Sequence, residues 1–414
     1  MKILVISESI NVEDSSGSKV NVAMINSLKN CGYELLVLHY SHIEIQLPNI
    51  NCKLIKENKF SIWYVLSRFQ RLLYKTLKIN INPFVESFLG FSFYNISDTL
   101  SIVSRLKNEK EFFPDFVITL SKGASFRPHR ALLKLPELHN KWIAYIHDPY
   151  PFHFYPRPYN WVEIGFNKKE RFMREMSNKS KYMVFPSLLL KEWMQSYFQN
   201  IEFNGLVLPH QITDTTIPLD QTIDFLDTGK FNIIHAGNLL KQRNPKYLLD
   251  AFLDFLEFIP EAKSNSQLIL VGDNSFHSDL LTQYQNHPNI IIKGYLAFEI
   301  VQILEKKSSV NVILEAKSEI SPFLPGKFPN LVLADKPILL LGPYYSEVKR
   351  LLGKDYKYWC ESDSLDEIKN NIILLYEQWK TNKNNLKLDK TELLNYLNKN
   401  YLSRFFEELY NKQI

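Results

Sequence analysis

Short, unbroken runs of Ile, Val and Leu recur along the whole 414-residue chain, and they restrict its fold more than any other feature of the sequence. Strands covered on both faces read as continuous apolar runs, whereas half-exposed strands alternate. Between the runs, apolar residues follow helical spacing, as Val20, Ala23, Met24 and Leu28 do. We therefore predict parallel sheets with helices on both faces. The predicted strands are KILVIS, ELLVLHY, FVITLS, WIAYIHD, YMVFPS, NIIHAG, LILVGD, NIIIKGY, VNVILE and PILLLG.

The runs fall into two sets, separated within residues 211–230 by a segment that carries no convincing strand. At roughly 150 residues per domain, the length allows two or three domains. We predict two doubly wound, Rossmann-like α/β domains that face a central cleft, over residues 1–212 and 213–389. The helical patterns at about residues 390–414 are too short for a domain, so we expect them to pack back on the first one.

Composition and charge exclude several classes of protein. With 49 Lys and Arg against 44 Asp and Glu, the net charge of +5 is too diffuse to indicate a nucleic-acid binder. Cys31, Cys52 and Cys360 lie far apart, without a partner at metal-ligand spacing, which argues against a disulfide framework and a structural zinc site. The first apolar run is too short for a signal peptide, and no run approaches the ~18 residues of a membrane span. We expect a cytoplasmic protein without a metal or an organic cofactor.

Two loops, each between a predicted strand and a predicted helix, carry glycine together with cations. Gly326 and Lys327 precede the helical pattern FPNLVLAD, and Gly237 is followed by Lys241 and Arg243 before the next helix. Amide groups at a helix start and nearby cations both favour a bound anion. Two such loops in one domain predict a clamp for a diphosphate.

These segments resemble glycosyltransferase family 4, the group 1 transferases of GT-B fold, over most of residues 231–380 and more faintly over the whole chain. In that family the second domain opens with a strand, Gly-Arg, a short loop and Lys-Gly. Here Gly237 and Asn238 stand at the first pair, and Arg243 and Asn244 stand at the second. The segment LILVGD resembles the next strand and its glycine turn.

One family motif, Glu-x7-Glu, is absent, because Pro322 and Asn330 stand at its two glutamates. The chain instead resembles relatives that carry Pro-x-Lys before the same strand. The resemblance then implies that Lys327 and Arg243 contact the diphosphate and that Asn330 contacts the ribose. The donor site implied in this way comprises Gly17, Gly237, Asn238, Arg243, Gly272, Gly326, Lys327, Phe328 and Asn330.

In the first domain, His147 and Asp148 follow a predicted strand at its carboxyl end, where open α/β sheets bind ligands. They resemble the family histidine that approaches the donor sugar, and Gly17 resembles the family's first glycine turn. The catalytic residues implied are His147, Asp148, Arg243 and Lys327, the last two stabilising charge on the departing nucleoside diphosphate. The resemblance implies a retaining, hexosyl-type transferase, and the absence of a DxD motif disfavours a metal-dependent one.

A separate basic helix is predicted within residues 61–79. Arg68, Arg71, Lys75 and Lys78 follow one another at intervals of three, four and three, beside apolar residues and with no acid from Phe60 to Val85. This pattern is typical of a solvated helix face and also of a helix that docks on an anionic membrane. Docking of this kind would place the protein at the inner face of the cell membrane.

The function implied by the resemblance is transfer of a sugar from a nucleotide-diphospho-sugar, UDP-linked, to a saccharide or lipid-linked saccharide in surface polysaccharide biosynthesis. Two alternatives stay open. A nucleotide-sugar epimerase of the same build would release its product without an acceptor. A catalytically silent GT-B subunit that binds a partner transferase would explain the missing glutamates.

Overall fold

The structure, a computed structural model, describes residues 1–213, 221–382 and 386–412, and the chain divides into two compact units. Part of the connecting segment predicted within residues 211–230 lies outside the described residues. Unit 1 comprises Met1–Tyr155, Asn160–Asp214 and Tyr396–Ile414, and unit 2 comprises Pro156–Tyr159 and Thr215–Asn395.

Unit 1 is built on a parallel sheet of seven strands. Its strands are β1 (Lys2–Ser7), β2 (Glu34–His39), β3 (Asn51–Leu54), β4 (Phe116–Leu120), β5 (Trp142–Tyr145), β6 (Tyr182–Phe185) and β7 (Gly205–Val207). They lie in the order β3-β2-β1-β4-β5-β6-β7, every neighbouring pair parallel. The order reverses between β1 and β4, which places a ligand-binding crevice at the carboxyl ends of those strands.

In the described part of the chain, eight helices precede the second sheet. They are α1 (Ser16–Asn30), α2 (Ile62–Leu77), α3 (Asn82–Leu89), α4 (Phe93–Lys107), α5 (Arg127–Leu132), α6 (Phe166–Lys179), α7 (Leu188–Gln195) and α8 (Ile201–Asn204). Several begin at a serine whose hydroxyl accepts a backbone N–H of the first turn, as Ser15 does from Ser18 and Ser92 from Asn95. Short 3₁₀ turns occur at Gly123–Ser125, Pro136–Lys141 and Phe152–Phe154.

Unit 2 repeats this architecture with a six-stranded parallel sheet. The strands of unit 2 are β8 (Phe231–Ala236), β9 (Ser266–Val271), β10 (Ile290–Lys293), β11 (Val310–Leu314), β12 (Ile320–Ser321), β13 (Ile338–Leu341), β14 (Tyr345–Ser346) and β15 (Trp359–Cys360). The sheet order is β10-β9-β8-β11-β13-β15, with β12 and β14 forming a separate pair. Here the order reverses between β8 and β11, so a second crevice is expected at their carboxyl ends.

Nine further helices complete the described chain, with one more 3₁₀ turn at Ser275–His277. They are α9 (Lys246–Phe258), α10 (Ala262–Asn265), α11 (Ser278–Thr282), α12 (Phe298–Lys307), α13 (Phe328–Ala334), α14 (Glu347–Leu352), α15 (Leu365–Thr381), α16 (Thr391–Tyr396) and α17 (Lys399–Asn411). The last of them packs on unit 1, where Phe406 is fully buried. Its ring lies edge-on to Tyr33 at 6.0 Å and to Phe116 at 5.9 Å.

Each of the ten predicted apolar runs forms a strand of one of the two large sheets. The central strands β4, β8 and β11 are buried at every residue, because helices cover both faces. This burial explains why the runs do not alternate, and it confirms the prediction of doubly wound parallel sheets.

Candidate functional site

Two glycine loops meet at the carboxyl ends of β8 and β9 in unit 2. The amide of Gly237 donates to the carbonyl of Val271 at 2.8 Å, and the amide of Asp273 donates to Oδ1 of Asn238 at 3.2 Å. Gly272 has φ +127°, and a Cβ there would lie 2.5 Å from the carbonyl oxygen of Gly237. Only glycine permits this approach of two backbones. The two loops are therefore held together as one surface.

Lys327 reaches the same surface from the start of α13. Its ammonium donates to the carbonyl of Ala236 at 2.9 Å and to that of Val312 at 3.0 Å, which belong to β8 and β11. A Cβ on Gly237 would lie 3.7 Å from this nitrogen. The charge thus lies where the strand order reverses. An ammonium carries three donors, so one more is available to a ligand.

Charged groups of both signs lie near this ammonium. Burial lowers the pKa of Lys327, the carboxylate of Glu305 on α12 acts in the opposite direction, and the positive charge of Arg243 lowers it further. Burial likewise raises the pKa of Glu305, against the effect of Lys327. A bound anion would therefore favour the protonated lysine in a place where burial disfavours it.

Arg243 and His235 each keep a buried nitrogen without a hydrogen-bond partner among the described residues. For Arg243 this nitrogen is Nε, and for His235 it is Nε2. Burial and the charge of Lys327 hold the pKa of His235 well below its usual range, so the imidazole is neutral. Buried donors are normally satisfied, so an orphaned guanidinium nitrogen beside a lysine indicates space for an acceptor-rich ligand.

Glu315 adds a buried carboxyl directly after β11. Its Oε1 accepts the hydroxyl of Ser321 at 2.9 Å, and its Oε2 is buried. Burial raises its pKa to about 7. The sequence did not single out Glu315 as a ligand contact. Its position directly after a strand was the available signal, because such residues line the crevice.

The remaining donor residues predicted in this loop are placed differently. Gly326 is exposed, while Asn330 is buried. Phe328 is fully buried, and its amide donates to the carbonyl of Pro325 at 2.9 Å. Phe328 therefore offers neither its ring nor its amide to a ligand in this conformation, because both are used within the unit.

In unit 1, His147 lies two residues beyond β5. Its Nε2 is 3.1 Å from Oδ1 of Asn21, and its ring stacks on His210 with the centroids 5.6 Å apart. Burial lowers its pKa to about 4, so the ring is neutral at pH 7. Asp148 follows His147 and is partly buried. Gly17 lies in the first turn of α1, and a Cβ added there would lie 3.7 Å from the amide nitrogen of Gly123.

A polar cavity of about 290 Å³ lies where the strand order of unit 1 reverses. Side chains that follow β1, β2 and β4 contribute to it, which the positional rule for open α/β sheets explains. The strand-end rule selects residues 7–19, which include Glu8, Ser9 and Asp14, but the sequence did not single out the other side chains, although Lys122 comes two residues after β4. The cavity is lined by Glu8, Ser9, Asp14, Tyr40, His42, Tyr94, Lys122 and Arg127.

The charges of this cavity are paired with one another. Arg127 makes an ion pair with Glu8 and another with Asp98, the latter at 2.7 Å. Lys122 lies 3.1 Å from Asp14. Burial raises the pKa of Asp98, although Arg127 opposes the shift. The cavity thus offers hydrogen-bonding oxygen and nitrogen atoms with balanced charge.

The predicted basic helix is α2, which carries Arg68, Arg71 and Lys75, whereas Lys78 ends it in the left-handed conformation. Arg68 is partly buried and lies 3.1 Å from Glu57, whereas Arg71, Lys75 and Lys78 are exposed. Over the described residues, no helix is both long and apolar enough to span a bilayer. The same residues contain no cluster of His, Cys, Asp or Glu that could hold a metal ion.

Known structures resemble the whole chain. HepE from Anabaena, in complex with UDP and glucose, matches with a TM-score of 0.62 and 11% identity over 100% of both chains. Sucrose-phosphate synthase from Thermosynechococcus elongatus matches with a TM-score of 0.63 and 10% identity over 100% of this chain and 99% of its own. A UDP-forming α,α-trehalose-phosphate synthase from Burkholderia xenovorans, in complex with glucose-6-phosphate, gives 0.63 and 10% over 99% and 100%.

No family model and no curated protein matches the sequence. At these identities the likeness to solved structures shows the fold, which is GT-B. The fold predicted from the sequence is thereby confirmed.

Proposed function

We propose that the protein transfers a sugar from a nucleoside-diphosphate sugar to a saccharide acceptor. The observation that carries the proposal is the pair of cations, Lys327 and Arg243, at the crevice between β8 and β11. Within the described part of the chain, Arg243 keeps a buried donor without an acceptor, and the ammonium of Lys327 keeps one donor for a ligand. A diphosphate supplies acceptors and negative charge for both.

Uridine is the base we propose, since HepE was solved with UDP and the Burkholderia synthase is UDP-forming. Gly237, Gly272, Asn238 and Asn330 complete the proposed donor site, with the exposed Gly326 at its edge. We leave Phe328 out of it, because its ring and its amide serve the unit's own packing.

The proposed catalysis is electrostatic. As the bond to the diphosphate breaks, negative charge grows on the leaving oxygen, and two fixed cations stabilise that charge more than they stabilise the ground state. No metal ion is needed for this role, and no enzyme nucleophile is required for retention of the anomeric configuration. Retention, metal independence and hexosyl transfer are therefore parts of the proposal.

His147 and Asp148 are proposed as contacts to the transferred sugar. A neutral imidazole both donates and accepts hydrogen bonds, and the low pKa of His147 keeps it neutral at physiological pH. Asn21 fixes one ring nitrogen, which orients the ring. Gly17 stands in the first turn of α1, where the absence of a side chain leaves room for a sugar hydroxyl.

We place the acceptor in the polar cavity of unit 1. Its cations, Arg127 and Lys122, are already paired with carboxylates, so a phosphorylated sugar would find no free positive charge there. Hydroxyl groups of a neutral saccharide match such a site better. We accordingly propose a saccharide or lipid-linked saccharide in surface polysaccharide biosynthesis, at the inner face of the cell membrane.

Titration calorimetry with UDP, GDP and ADP tests the donor site. We expect UDP to bind, and Lys327→Met and Arg243→Met each to weaken binding about tenfold to a hundredfold, because a hydrogen bond to a charged group contributes about 1.5–3 kcal/mol. Lys241→Met is the matched control, since Lys241 is exposed in the same loop. Unchanged UDP affinity in both variants, with melting curves like the wild type, would refute the clamp.

A second assay separates the proposal from its alternatives. Incubation with UDP-sugars and saccharide acceptors, followed by NMR of the products, reports transfer and the anomeric configuration. Release of an altered nucleotide sugar or free sugar without acceptor would indicate the epimerase. UDP binding without turnover, restored only by a partner transferase, would indicate the silent subunit.

A further inference from the structure

Helices α2 and α3 of unit 1, with the loops beside them, expose an unusual number of large apolar side chains. Among the 16 residues of α2 only Ser67 is buried. Phe84 and Phe88 of α3 are 76% and 71% exposed. Monomeric proteins rarely leave many such side chains together in water. The apolar face consists of Phe60, Ile62, Val65, Phe69, Leu72, Leu77, Ile79, Phe84 and Phe88.

Helical spacing aligns these side chains. Ile62, Val65, Phe69 and Leu72 follow one another at intervals of three, four and three, so they share one side of α2. The other side packs on α4, where Trp63 lies against Phe93 with the ring centroids 5.9 Å apart. The stripe therefore does not belong to the core of unit 1.

The short helix α3 continues the same surface. Phe84 and Phe88 are four residues apart and face outward, while Val85 between them is buried. Gln70 of α2 donates a hydrogen bond to Asn82 of α3, which ties the two helices together. The apolar face is thus one feature of two connected helices.

Positive charge accompanies this face. Arg71, Lys75 and Lys78 are exposed and form no ion pair among the described residues. No acid occurs between Glu57 and Glu86, and both of these carboxylates are paired with cations of unit 1. A surface that combines apolar side chains with free cations is complementary to anionic lipid headgroups over acyl chains.

We propose that α2 and α3 dock unit 1 on a bilayer containing anionic lipid, with the apolar face inserted at the boundary of headgroups and acyl chains. A helix with this charge and length lies in the interface plane and does not cross the bilayer. A second copy of the chain is a poorer occupant, because a symmetric contact would bring the same cations together.

Helix α2 is linked to the polar cavity of unit 1 through three contacts. Arg68 pairs with Glu57 at 3.1 Å, Glu57 lies 3.9 Å from Nδ1 of His42, and Nε2 of His42 lies 3.3 Å from the hydroxyl of Tyr94. His42 and Tyr94 line the cavity. One consequence of the docking rests on the proposed function: an acceptor that a lipid holds in the membrane can present its sugar to the cavity.

Sedimentation of the full chain with vesicles tests the docking. The vesicles contain phosphatidylcholine alone, or phosphatidylcholine with phosphatidylglycerol at about 7:3. We expect at least about tenfold stronger partition onto the anionic vesicles, since each cation contributes near such a surface. The double variant Phe69→Ser, Leu72→Ser should weaken partition by at least about tenfold, because a transferred apolar side chain is worth roughly that factor.

Matched controls distinguish the face from general stickiness and net charge. Phe203→Ser with Phe258→Ser removes two rings that are 84% and 70% exposed elsewhere and should leave partition within about twofold. Arg71→Glu with Lys75→Glu should abolish the preference for anionic vesicles. The same charge change at exposed Lys134 and Lys107 should affect it only weakly, apart from long-range attraction.

Three results would overturn the proposal. They are no partition of the wild type, equal loss in the control and face variants, and a dimer that the Phe69 and Leu72 substitutions dissociate while partition is absent. The last result would assign the face to a second copy. UDP titration of the same preparations separates this test from the proposed function, because loss of vesicle binding with intact UDP affinity concerns the face alone.

Discussion

Replacing Gly272 with alanine tests whether the two glycine loops of unit 2 form one surface. The new methyl group would meet the carbonyl of Gly237 at 2.5 Å and the amide of Asn238 at 3.3 Å, in a backbone conformation with φ +127°. Strain of this kind costs about 1–3 kcal/mol. Displacing packed backbone costs about 1–3 kcal/mol more. We expect unit 2 to lose about 2–6 kcal/mol of its free energy of unfolding.

Two glycines of the same unit separate the contributions. Gly353 has φ +106°, but a Cβ added there would have only the ammonium of Lys390 near it, at 3.7 Å. Gly353→Ala should therefore lower the free energy of unfolding by the backbone strain alone, about 1–3 kcal/mol. Gly294 has nothing within 4 Å and no positive φ, so Gly294→Ala should change stability by less than about 1 kcal/mol.

Native-state hydrogen exchange of peptides from residues 231–341 provides the measurement, since it reports the opening of unit 2 separately from unit 1. Each 1.4 kcal/mol corresponds to about a tenfold faster exchange. Gly272→Ala should also weaken UDP binding, because the carbonyl of Gly237 and the amide of Asn238 must move, whereas Gly353→Ala should not. Equal exchange rates in the Gly272 and Gly294 variants would refute the close approach.

Further outcomes follow from buried groups. Arg127→Met leaves Glu8 and Asp98 without their cation and should destabilise unit 1 by about 3–5 kcal/mol in urea unfolding; an effect below about 1 kcal/mol would contradict the pairing. Phe406→Ala should cost about 3–5 kcal/mol in the same assay, and protease resistance of residues 399–411 in that variant would argue against it. Burial raises the pKa of Glu315 from 4.5 to about 7. Relative to Glu315→Gln, the wild type should therefore keep its full extra free energy of unfolding below about pH 4.5 and lose it as the pH rises to about 7. Urea unfolding of both proteins over this pH range measures the difference, and a pH-independent difference would contradict the shift.

Five of the described strands are absent from the prediction: β12 and β14 form the separate pair, and the other three lie at the edges of the large sheets. β3 and β7 are the two edge strands of the first sheet, and β15 is an edge strand of the second. Each is four residues or shorter, and β3 and β7 are only partly buried along most of their length. Edge strands are covered by fewer neighbours, so their sequences need no continuous apolar run. The apolar runs therefore reveal every central strand of the two large sheets, but only one of their four edge strands, β10.

The positional rule for strand ends explains how much of the site was predictable. It led to His147, Gly237 and Gly272, and Lys327 was predicted from its glycine loop and the family resemblance. Arg127 was not predicted, because it begins a helix and acquires its role from carboxylates 119 and 29 residues distant in sequence, Glu8 and Asp98.

What the sequence determined by itself was the architecture: continuous apolar runs and helical spacing require doubly wound parallel sheets, since only burial on both faces accounts for them. Tertiary structure alone decided which charges are paired and which are free. Over the described residues, it pairs Arg127 with carboxylates, leaves a donor of Arg243 unsatisfied, buries Phe328 and turns the apolar stripe with Phe69 outward. The reason is that pairing and exposure depend on distances between residues far apart in the chain, whereas periodicity records only neighbours on one element.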